Sequence, residues 1–440
     1  MNANSDQIES IVAQTIQRLS EDFTKDRRPW VIAFSGGKDS TVLLELVYDM
    51  LLGMDPTKLK PVYIISSDTK VEPPNIALYL RETITCIKKD VRYKNLPIQV
   101  QIVTPEVEST FWAKLIGKGY PPPTRWFRWC TSSLKIRPTR RIIEEIAREK
   151  GSVILLLGTR IDESSDRRNR MKGREKSSRG LNPHHEIPNA LVSTPIAEWT
   201  TDQIWEYLQT KESPWGHDHN DLISLYSKAT GNECHMIFDM LSPSCGGSRF
   251  GCWTCTVVKN DISMQGFIRT GETWMTPLNE FRNWLKQIRE EPGRRMPFRR
   301  DGSKGIGPFT FETRKDILER LLKMEKQMGF QLISDEEIAY IHEVWTREID
   351  FQDTALEIAV QYSREVSEMK QSFLTSEEDR LLDDLLADYE NLPPELIRRL
   401  LDLVKEQLPT LNTYGAKKQL TRQIKMMVER SVVQKETADS

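Results

Sequence analysis

The residues best suited to phosphate chemistry form one short stretch, Ser35–Ser40, with the sequence Ser-Gly-Gly-Lys-Asp-Ser. It follows an apolar run and precedes a helical pattern that ends at Gly53. The two glycines let the backbone turn tightly and approach a ligand closely, and the amides at the start of the following helix attract anions. The ammonium group of Lys38 and the two serine hydroxyls add further donors. This turn therefore predicts a pyrophosphate site.

The spacing of the stretch excludes two common phosphate loops. A Walker A loop has four residues between its first glycine and Gly-Lys-Ser/Thr, and a dinucleotide turn follows Gly-x-Gly-x-x-Gly. The pattern Ser-Gly-Gly-x-Asp-Ser instead resembles the PP-loop of the ATP pyrophosphatases, which split ATP between its α- and β-phosphates. On these six residues alone, an ordinary strand–turn–helix corner is the alternative.

A second group of reactive residues consists of four cysteines within twenty-two positions: Cys234, Cys245, Cys252 and Cys255. The last two form a Cys-x-x-Cys pair. Four thiolates so close together suit a tetrahedral sulfur site that holds zinc or an iron–sulfur cluster, and their irregular spacing does not separate the two. The alternatives are buried small side chains without metal, or a redox-active dithiol at the last pair.

Arginines alternate with aromatic residues in the segment 119–141, which also contains Cys130. Guanidinium groups grip phosphates bidentately, and aromatic rings offer stacking surfaces for bases. The alternative is an aromatic stripe that enters the core while the arginines are solvated. Residues 166–180 form another basic stretch, predicted to be a loop. Because the net charge of the chain is only −2, nucleic-acid binding requires such local patches.

The elements that must position these residues follow from hydrophobic patterning. Four apolar runs predict strands, at residues 30–34, 60–67, 99–104 and 153–158. Helical patterns between the runs predict an α/β fold with a parallel sheet. Polar side chains just past the carboxyl ends of such strands face the ligand crevice. Asp68 is therefore predicted to contact the nucleotide or its Mg²⁺, with a capping role as the alternative.

The composition indicates a globular protein, with 38% hydrophobic and 29% charged residues. No run is long enough to span a membrane and the first residues are polar, so we expect a cytoplasmic protein without a membrane partner. Six cysteines in such a chain argue against a disulfide scaffold. Three parts are predicted: a nucleotide domain at 1–215, a cysteine-rich segment at 216–310 and a helical region at 311–440. Helical patterns in the last part lie at 313–328, 334–347, 376–389 and 394–408.

Four segments together resemble the phosphoadenylylsulfate (PAPS) reductase branch of the PP-loop ATP pyrophosphatases. They are the PP-loop, Asp68–Thr69, Gly158–Arg160 with Glu163–Ser164, and Pro195–Ile196 with Trp199 and Trp205. Two further stretches, residues 128–135 and 242–258, are similar to the DndC-type proteins of bacterial DNA phosphorothioation, with SspD-type proteins as the near alternative. The fold implied is an adenine-nucleotide α-hydrolase-like parallel sheet with helices on both faces.

The resemblance implies an enzyme that converts ATP to AMP and pyrophosphate with Mg²⁺ and activates a DNA backbone phosphate by adenylylation. Sulfur from a cysteine desulfurase would then replace a non-bridging oxygen, with other phosphorothioation proteins as partners. The nucleotide-binding residues implied are Ser35, Gly36, Gly37, Lys38, Asp39, Ser40, Asp68, Gly158 and Arg160.

The resemblance also implies a 4Fe–4S cluster held by the four grouped cysteines. The residues implied in catalysis are Lys38, Asp39, Asp68, Arg160 and Cys130. Cys130 is either the thiol that handles sulfur or a cluster ligand in place of Cys234. Three other functions stay open: a tRNA-thiolating PP-loop enzyme, a PAPS reductase-like sulfonucleotide enzyme, and a metal-stabilised nucleic-acid-binding protein without catalysis. Sulfonucleotide reduction is disfavoured because the PAPS reductases use a nucleophilic cysteine near their C-terminus, and no cysteine follows Cys255 in this sequence.

Overall fold

The structure is a computed structural model, and it describes most of the first 364 residues. The described ranges are 3–161, 181–184, 187–230, 250–348 and 354–364, with positions 350 and 366 and a few positions between 380 and 401. The basic stretch 166–180, Glu163–Ser164, and most of the helical patterns at 376–389 and 394–408 lie outside the described residues.

A six-stranded sheet forms the centre of the first part of the chain. Its strands are β1 (Trp30–Ala33), β2 (Val62–Ser67), β3 (Ile98–Val103), β4 (Val153–Leu156), β5 (Asn182–Pro183) and β6 (Ala190–Ser193). Their order across the sheet is β3-β2-β1-β4-β6-β5. Every neighbouring pair is parallel except β5 with β6, which is antiparallel. The mostly parallel sheet predicted from the apolar runs is confirmed.

Helices cover both faces of this sheet. The α-helices described between residues 3 and 290 are α1 (Ala3–Lys25), α2 (Lys38–Leu52), α3 (Pro74–Tyr93), α4 (Arg137–Lys150), α5 (Thr201–Thr210), α6 (His219–Ala229), α7 (Ile262–Arg269) and α8 (Thr276–Glu290). Because strand side chains alternate between faces, Ile32 packs with α1, α2, α3, α5 and α6, whereas Val31 packs with α4. The α/β class of the prediction is therefore confirmed.

The helix α2, which follows the phosphate turn Ser35–Ser40, is buried along most of its length. In α2, 12 of the 15 residues are buried, including residues that point away from the sheet. A helix that is apolar on nearly all sides must be covered on all sides, and α1 and α5 pack against it. The turn at its N-terminus is therefore held on a rigid support. The helix ends at Gly53, as the sequence predicts.

The chain folds into two compact units. The first contains residues 1–111 and 122–288, and the second contains residues 112–121 and 289–440. The helices of the second unit are α9 (Phe311–Met328), α10 (Asp335–Arg347) and α11 (Thr354–Gln361). The predicted division at residues 215 and 310 stays a prediction.

The short segment 112–121 is built into the helical unit by hydrogen bonds from buried indoles. Trp112 Nε1 donates to the carbonyl oxygen of Leu332 at 2.8 Å, and Trp345 Nε1 donates to that of Ile116 at 3.0 Å. Ser334 begins α10 with a capping box, as its sequence pattern predicts. Within the described ranges, no helix combines the length and the apolar character needed to cross a membrane.

Candidate active site

The phosphate turn is held closed by its own hydroxyl groups. After β1 the chain reverses at Gly36, which has a φ of +71°. Ser35 Oγ lies 3.1 Å from Ser40 Oγ, and Ser40 Oγ donates to the carbonyl oxygen of Gly37 at 2.9 Å. Gly37 is the N-cap of α2 and has no side chain with which to cap the first amides of the helix. This geometry fits the predicted anion site.

Two cations converge on Asp39 directly beside the turn. Lys38 Nζ lies 2.9 Å from Asp39 Oδ2, and Arg160 Nε donates to Asp39 Oδ1 at 2.6 Å. Arg160 is only 1% exposed, and its other nitrogens donate to Trp199 O at 3.0 Å and to Thr201 Oγ1 at 3.1 Å. One carboxylate thus holds two buried cations directly beside the turn. A buried ammonium and a buried guanidinium at this point favour an anionic ligand.

The carboxyl end of β4 approaches the turn so closely that only glycine fits there. A Cβ built on Gly158 would lie 2.8 Å from the carbonyl oxygen of Asp39 and 3.1 Å from the amide nitrogen of Ser40. Both atoms belong to the backbone, so they cannot move aside as a flexible side chain would. The structure thus brings the Gly158–Arg160 segment against the PP-loop, as the resemblance implies.

Tyr226 of α6 also contacts the turn, and no sequence motif marks it. Its hydroxyl lies 3.4 Å from the amide nitrogen of Lys38, and Lys38 Nζ lies 5.5 Å from the centre of its ring. The ring packs against Phe250 at 4.4 Å and against Trp205 at 5.1 Å. Its position follows from the packing of α6 beside the start of α2, which the helical pattern of the sequence does not specify.

The Cys-x-x-Cys pair lies against the turn that follows β2. Thr69 Oγ1 is 3.6 Å from Cys252 Sγ, and the amide of Trp253 donates to the carbonyl oxygen of Val71 at 3.0 Å. Asp68, the residue before Thr69, accepts a hydrogen bond from the Lys70 amide at 2.8 Å through Oδ1. Because β1, β2 and β4 are parallel, the phosphate turn and this thiol pair lie at the same edge of the sheet.

The charge of Cys255 influences two other thiols, Cys252 and Cys130. The pKa of Cys252 is raised to about 11, chiefly by burial; the charges of Glu72 and Cys255 contribute to the rise, and the ammonium of Lys135 opposes it. Burial also raises the pKa of Cys130, and again the charge of Cys255 adds to the effect. Cys130, far from the pair in sequence, therefore belongs to the same neighbourhood. Buried thiols of this kind ionise when a metal binds them.

These thiols suit a sulfur-ligated metal by their chemistry. Two of the four predicted ligands, Cys234 and Cys245, lie outside the described residues. In the part of the chain that the structure covers, no three His, Cys, Asp or Glu side chains already form a metal site. Of the residues implied for the cluster, the structure describes Cys252, Cys255 and the alternative ligand Cys130. Both oxygens of Asp39 accept hydrogen bonds from Lys38 and Arg160.

A buried arginine orders the backbone beyond the thiol pair. Arg282 of α8 is fully buried, with Nε donating to the carbonyl oxygen of Cys255 at 2.7 Å and Nη1 to that of Lys259 at 3.1 Å. The sequence did not indicate this residue, because a lone arginine on an amphipathic helix is expected to be exposed to solvent. Its role is structural: it satisfies carbonyl groups in a stretch without regular hydrogen bonding.

The fold and the site define a class: α/β proteins with a PP-loop sequence and a group of cysteines at the carboxyl ends of the strands of a mostly parallel sheet. Residues 29–258, just over half of the chain, match the phosphoadenosine phosphosulfate reductase domain family. The chain belongs to this family. The resemblance to the PAPS reductase branch is thereby confirmed, whereas the DndC-type assignment stays a prediction.

Two relatives come from Methanocaldococcus jannaschii. Uncharacterized protein MJ0066 is 25% identical over 298 residues, covering 65% of this chain and 50% of the relative. Uncharacterized protein MJ0973 is 23% identical over 293 residues, covering 66% of this chain and 56% of the relative. The chain thus spans about half the length of these relatives.

Two solved structures are also similar. The phosphoadenylyl-sulfate reductase of Candida auris, in complex with phosphate, is 16% identical with a TM-score of 0.27 and covers 48% of this chain and 87% of its own. The U34-tRNA thiolase NcsA of Methanococcus maripaludis, with its 4Fe–4S cluster, is 13% identical with a TM-score of 0.31 and covers 64% and 79%. At these values neither structure assigns an activity to this chain.

Proposed function

We propose that this protein is an ATP pyrophosphatase that activates a DNA backbone phosphate for sulfur incorporation. The observation that carries the proposal is the pairing of Lys38 and Arg160 through Asp39 beside the PP-loop. This arrangement places two cationic side chains and the first amides of α2 beside one turn, as a pyrophosphate leaving group requires.

In the proposed reaction the chain acts chiefly by positioning and electrostatics. The amides at the start of α2 and the ammonium of Lys38 bind the β- and γ-phosphates and stabilise the pyrophosphate as it leaves. Asp39 keeps Lys38 and Arg160 in place, and Gly158 allows the backbone to reach the α-phosphate. Asp68 contacts the nucleotide through Mg²⁺, which neutralises the phosphate oxygens.

The acceptor in this proposal is a non-bridging oxygen of DNA. That oxygen attacks the α-phosphorus of ATP, the bond to the β-phosphate breaks, and pyrophosphate leaves. A cysteine desulfurase supplies sulfur as an enzyme-bound persulfide. Its outer sulfur attacks the activated DNA phosphorus and AMP leaves, and a thiol then cleaves the sulfur–sulfur bond, which leaves the phosphorothioate on DNA and a disulfide as the oxidised product. The 4Fe–4S cluster would supply sulfur handling or electrons, and the residues that would hold it are Cys234, Cys245, Cys252 and Cys255. Cys130, whose thiol is influenced by the charge of Cys255, would receive sulfur or ligate the cluster.

The first test is the product of ATP turnover. We expect the purified protein to form AMP and pyrophosphate in equal amounts, and we expect Lys38→Ala to lower the rate by about 100-fold or more, the usual effect of removing one donor to a developing charge. Lys58→Ala, which removes an exposed lysine of the same unit, serves as the matched control.

Three results would contradict the proposal. Formation of ADP instead of AMP would exclude the pyrophosphatase reaction. Sulfur incorporated into tRNA, but not into DNA, when a cysteine desulfurase is added would favour the tRNA-thiolating alternative. Normal sulfur incorporation by Lys38→Ala would favour a non-catalytic binding protein.

A further inference from the structure

One aromatic side chain of the first unit is almost entirely in solvent. Trp126 is 92% exposed, and it lies at the tip of a tight turn between Thr124 and Phe127. The Thr124 amide donates to the carbonyl oxygen of Phe127 at 3.2 Å, and the Phe127 amide donates to Thr124 Oγ1 at 3.0 Å. These two hydrogen bonds fix the turn, so the indole is held outward by ordered backbone.

Two other tryptophans, Trp129 and Trp274, are much less exposed than Trp126. Trp129, three residues later, is 8% exposed, and its ring stacks on Phe111 at 5.4 Å. Trp274, the next most exposed tryptophan in the described part of the chain, is 39% exposed, and its Nε1 donates to Glu272 Oε2 at 2.7 Å. Leaving a whole indole in water forfeits the free energy that its burial would yield, and a ligand that covers the ring would recover it.

The charge around Trp126 identifies the class of ligand. Arg125 and Arg128 flank it and are exposed, and Lys135 and Arg137 are exposed further along the same segment. From Ser109 to Ile143 the sequence contains no aspartate or glutamate. An aromatic ring between guanidinium groups, in a segment without carboxylates, suits a strand of nucleic acid: the ring stacks on a base while the arginines bind its phosphates.

The same segment contains Cys130, which belongs to the cysteine group with Cys252 and Cys255. Cys130 follows Trp126 by four residues, so their Cα atoms are at most about 14 Å apart. Cys130 is half-buried and lies within electrostatic reach of Cys255. A base stacked on Trp126 would therefore bring the phosphates of the same strand, within a few nucleotides, close to these thiols.

We propose that Trp126 stacks on an unpaired base of the DNA substrate, and that Arg125 and Arg128 bind the adjoining phosphates. The bases of an intact duplex already stack on each other, so the indole requires a single-stranded or unstacked site. This inference rests on the proposed function, because it takes DNA as the acceptor of sulfur.

The test is the affinity of the full-length protein for labelled oligonucleotides, measured by fluorescence anisotropy. The probes are a single DNA strand, the same strand in a duplex, and RNA of the same sequence. We expect Trp126→Ala to weaken binding of the single DNA strand by roughly tenfold, the usual effect of losing one base–aromatic stack. Trp126→Phe is expected to restore most of the affinity, and Trp274→Ala is the matched control.

Salt dependence separates stacking from charge. Each phosphate contact to a single strand adds about 0.7 to the slope of log affinity against log salt concentration. The double variant Arg125→Ala/Arg128→Ala is therefore expected to lower the slope by about 1.4. Trp126→Ala is expected to leave the slope unchanged, because the indole neutralises no phosphate.

Wild-type affinity in Trp126→Ala would overturn the inference and leave the proposed function standing. Tighter binding of the duplex than of the single strand would also overturn it. A protein that forms AMP from ATP but binds no DNA, or that binds the RNA more tightly, would overturn both the inference and the DNA acceptor, while the pyrophosphatase activity would stand.

Discussion

Gly158 shows how a single residue without a functional group fixes the geometry of the candidate site. It lies where β4 passes the PP-loop, and the backbone of Asp39 and Ser40 occupies the space that any side chain would need. The residue matters because of what it lacks. Substitution would therefore disturb the turn without removing a charge or a hydrogen bond.

We expect Gly158→Ala to displace the PP-loop and to weaken ATP binding by about tenfold, with a loss of roughly 1–3 kcal/mol in the free energy of unfolding from overpacking. Isothermal titration with a non-hydrolysable ATP analogue and urea denaturation measure the two effects. The matched control is Gly53→Ala at the other end of α2, where a built Cβ meets nothing nearer than 3.6 Å. Equal ATP affinity in both variants would contradict the prediction.

At the scale of residues, the positions of site residues were predictable where they belong to a recognisable motif. The PP-loop residues, Gly158 and Arg160 come together as the resemblance implies. The contacts of Tyr226 and Arg282 could not be predicted, because the sequence around a tyrosine or an arginine on an amphipathic helix does not indicate which residues it contacts. Their contacts are made with residues far away in the sequence, so they depend on how helices pack.

Two helices next to the turn are joined by a buried polar pair. Glu45 of α2 is completely buried, and its Oε1 lies 2.6 Å from Nε2 of His219 at the start of α6. The other ring nitrogen, Nδ1, lies 2.9 Å from the carbonyl oxygen of Lys211 and 3.1 Å from that of Leu208. Since carbonyls only accept, Nδ1 carries a proton, and a second proton lies between His219 and Glu45. The pair anchors α6, which carries Tyr226.

The protonation of this pair gives the stability a definite pH dependence. Burial raises the pKa of Glu45 above its ordinary value of 4.5, and the charge of Asp49 adds to the effect. Burial alone would lower the pKa of His219, but the hydrogen bond and the charge of Glu45 outweigh it and raise that pKa above 6.5. The folded protein therefore binds more protons than the unfolded chain. Stability from the pair is greatest below about pH 4.5 and is lost as the pH rises through the folded pKa values.

Glu45→Gln tests this dependence, because glutamine can donate to neutral His219 but cannot titrate. We expect the difference in unfolding free energy, wild type minus variant, to fall between about pH 5 and pH 8, by at most about 1.4 kcal/mol per pH unit for each proton. Urea denaturation across this range measures it. For the exposed Glu82→Gln the difference should be flat. A flat difference for Glu45→Gln as well would mean that the pair does not exchange its proton on unfolding.

At the scale of elements, the four strands predicted from apolar runs are present. Each run has enough apolar residues to form one strand of a parallel sheet that is covered on both faces. Strand β6 was not predicted. It has four residues, as β1 and β4 have, but three of them are half-buried, and its apolar run comprises only the three residues 190–192. Helix α5 begins with a full capping box formed by Thr200 and Gln203.

At the scale of the whole molecule, distant segments combine in ways that local patterns do not record. The helical C-terminal unit includes residues 112–121, which lie between two parts of the sheet unit in sequence. Cys130 likewise joins the neighbourhood of Cys255, from a segment that precedes β4. Sequence periodicity specifies which face of an element is buried, but not which remote element covers it. Cys130 is therefore brought to the neighbourhood of Cys255 by the tertiary fold, not by a local sequence pattern.

This assembly makes the metal content of the whole protein its most direct test. Purified without oxygen, the wild-type protein is expected to hold about four irons per chain, as a single 4Fe–4S cluster requires. Cys252→Ser should lose that iron, because Cys252 is a half-buried member of the cysteine group and its thiolate would be stabilised by metal. Cys86→Ser is the matched control, since Cys86 belongs to α3 and not to the thiol group. Loss of iron in Cys130→Ser would make Cys130 a ligand, whereas retained iron with lost sulfur transfer would make it the sulfur carrier. One zinc per chain and no iron would contradict the cluster, and the cysteines would then have a structural role.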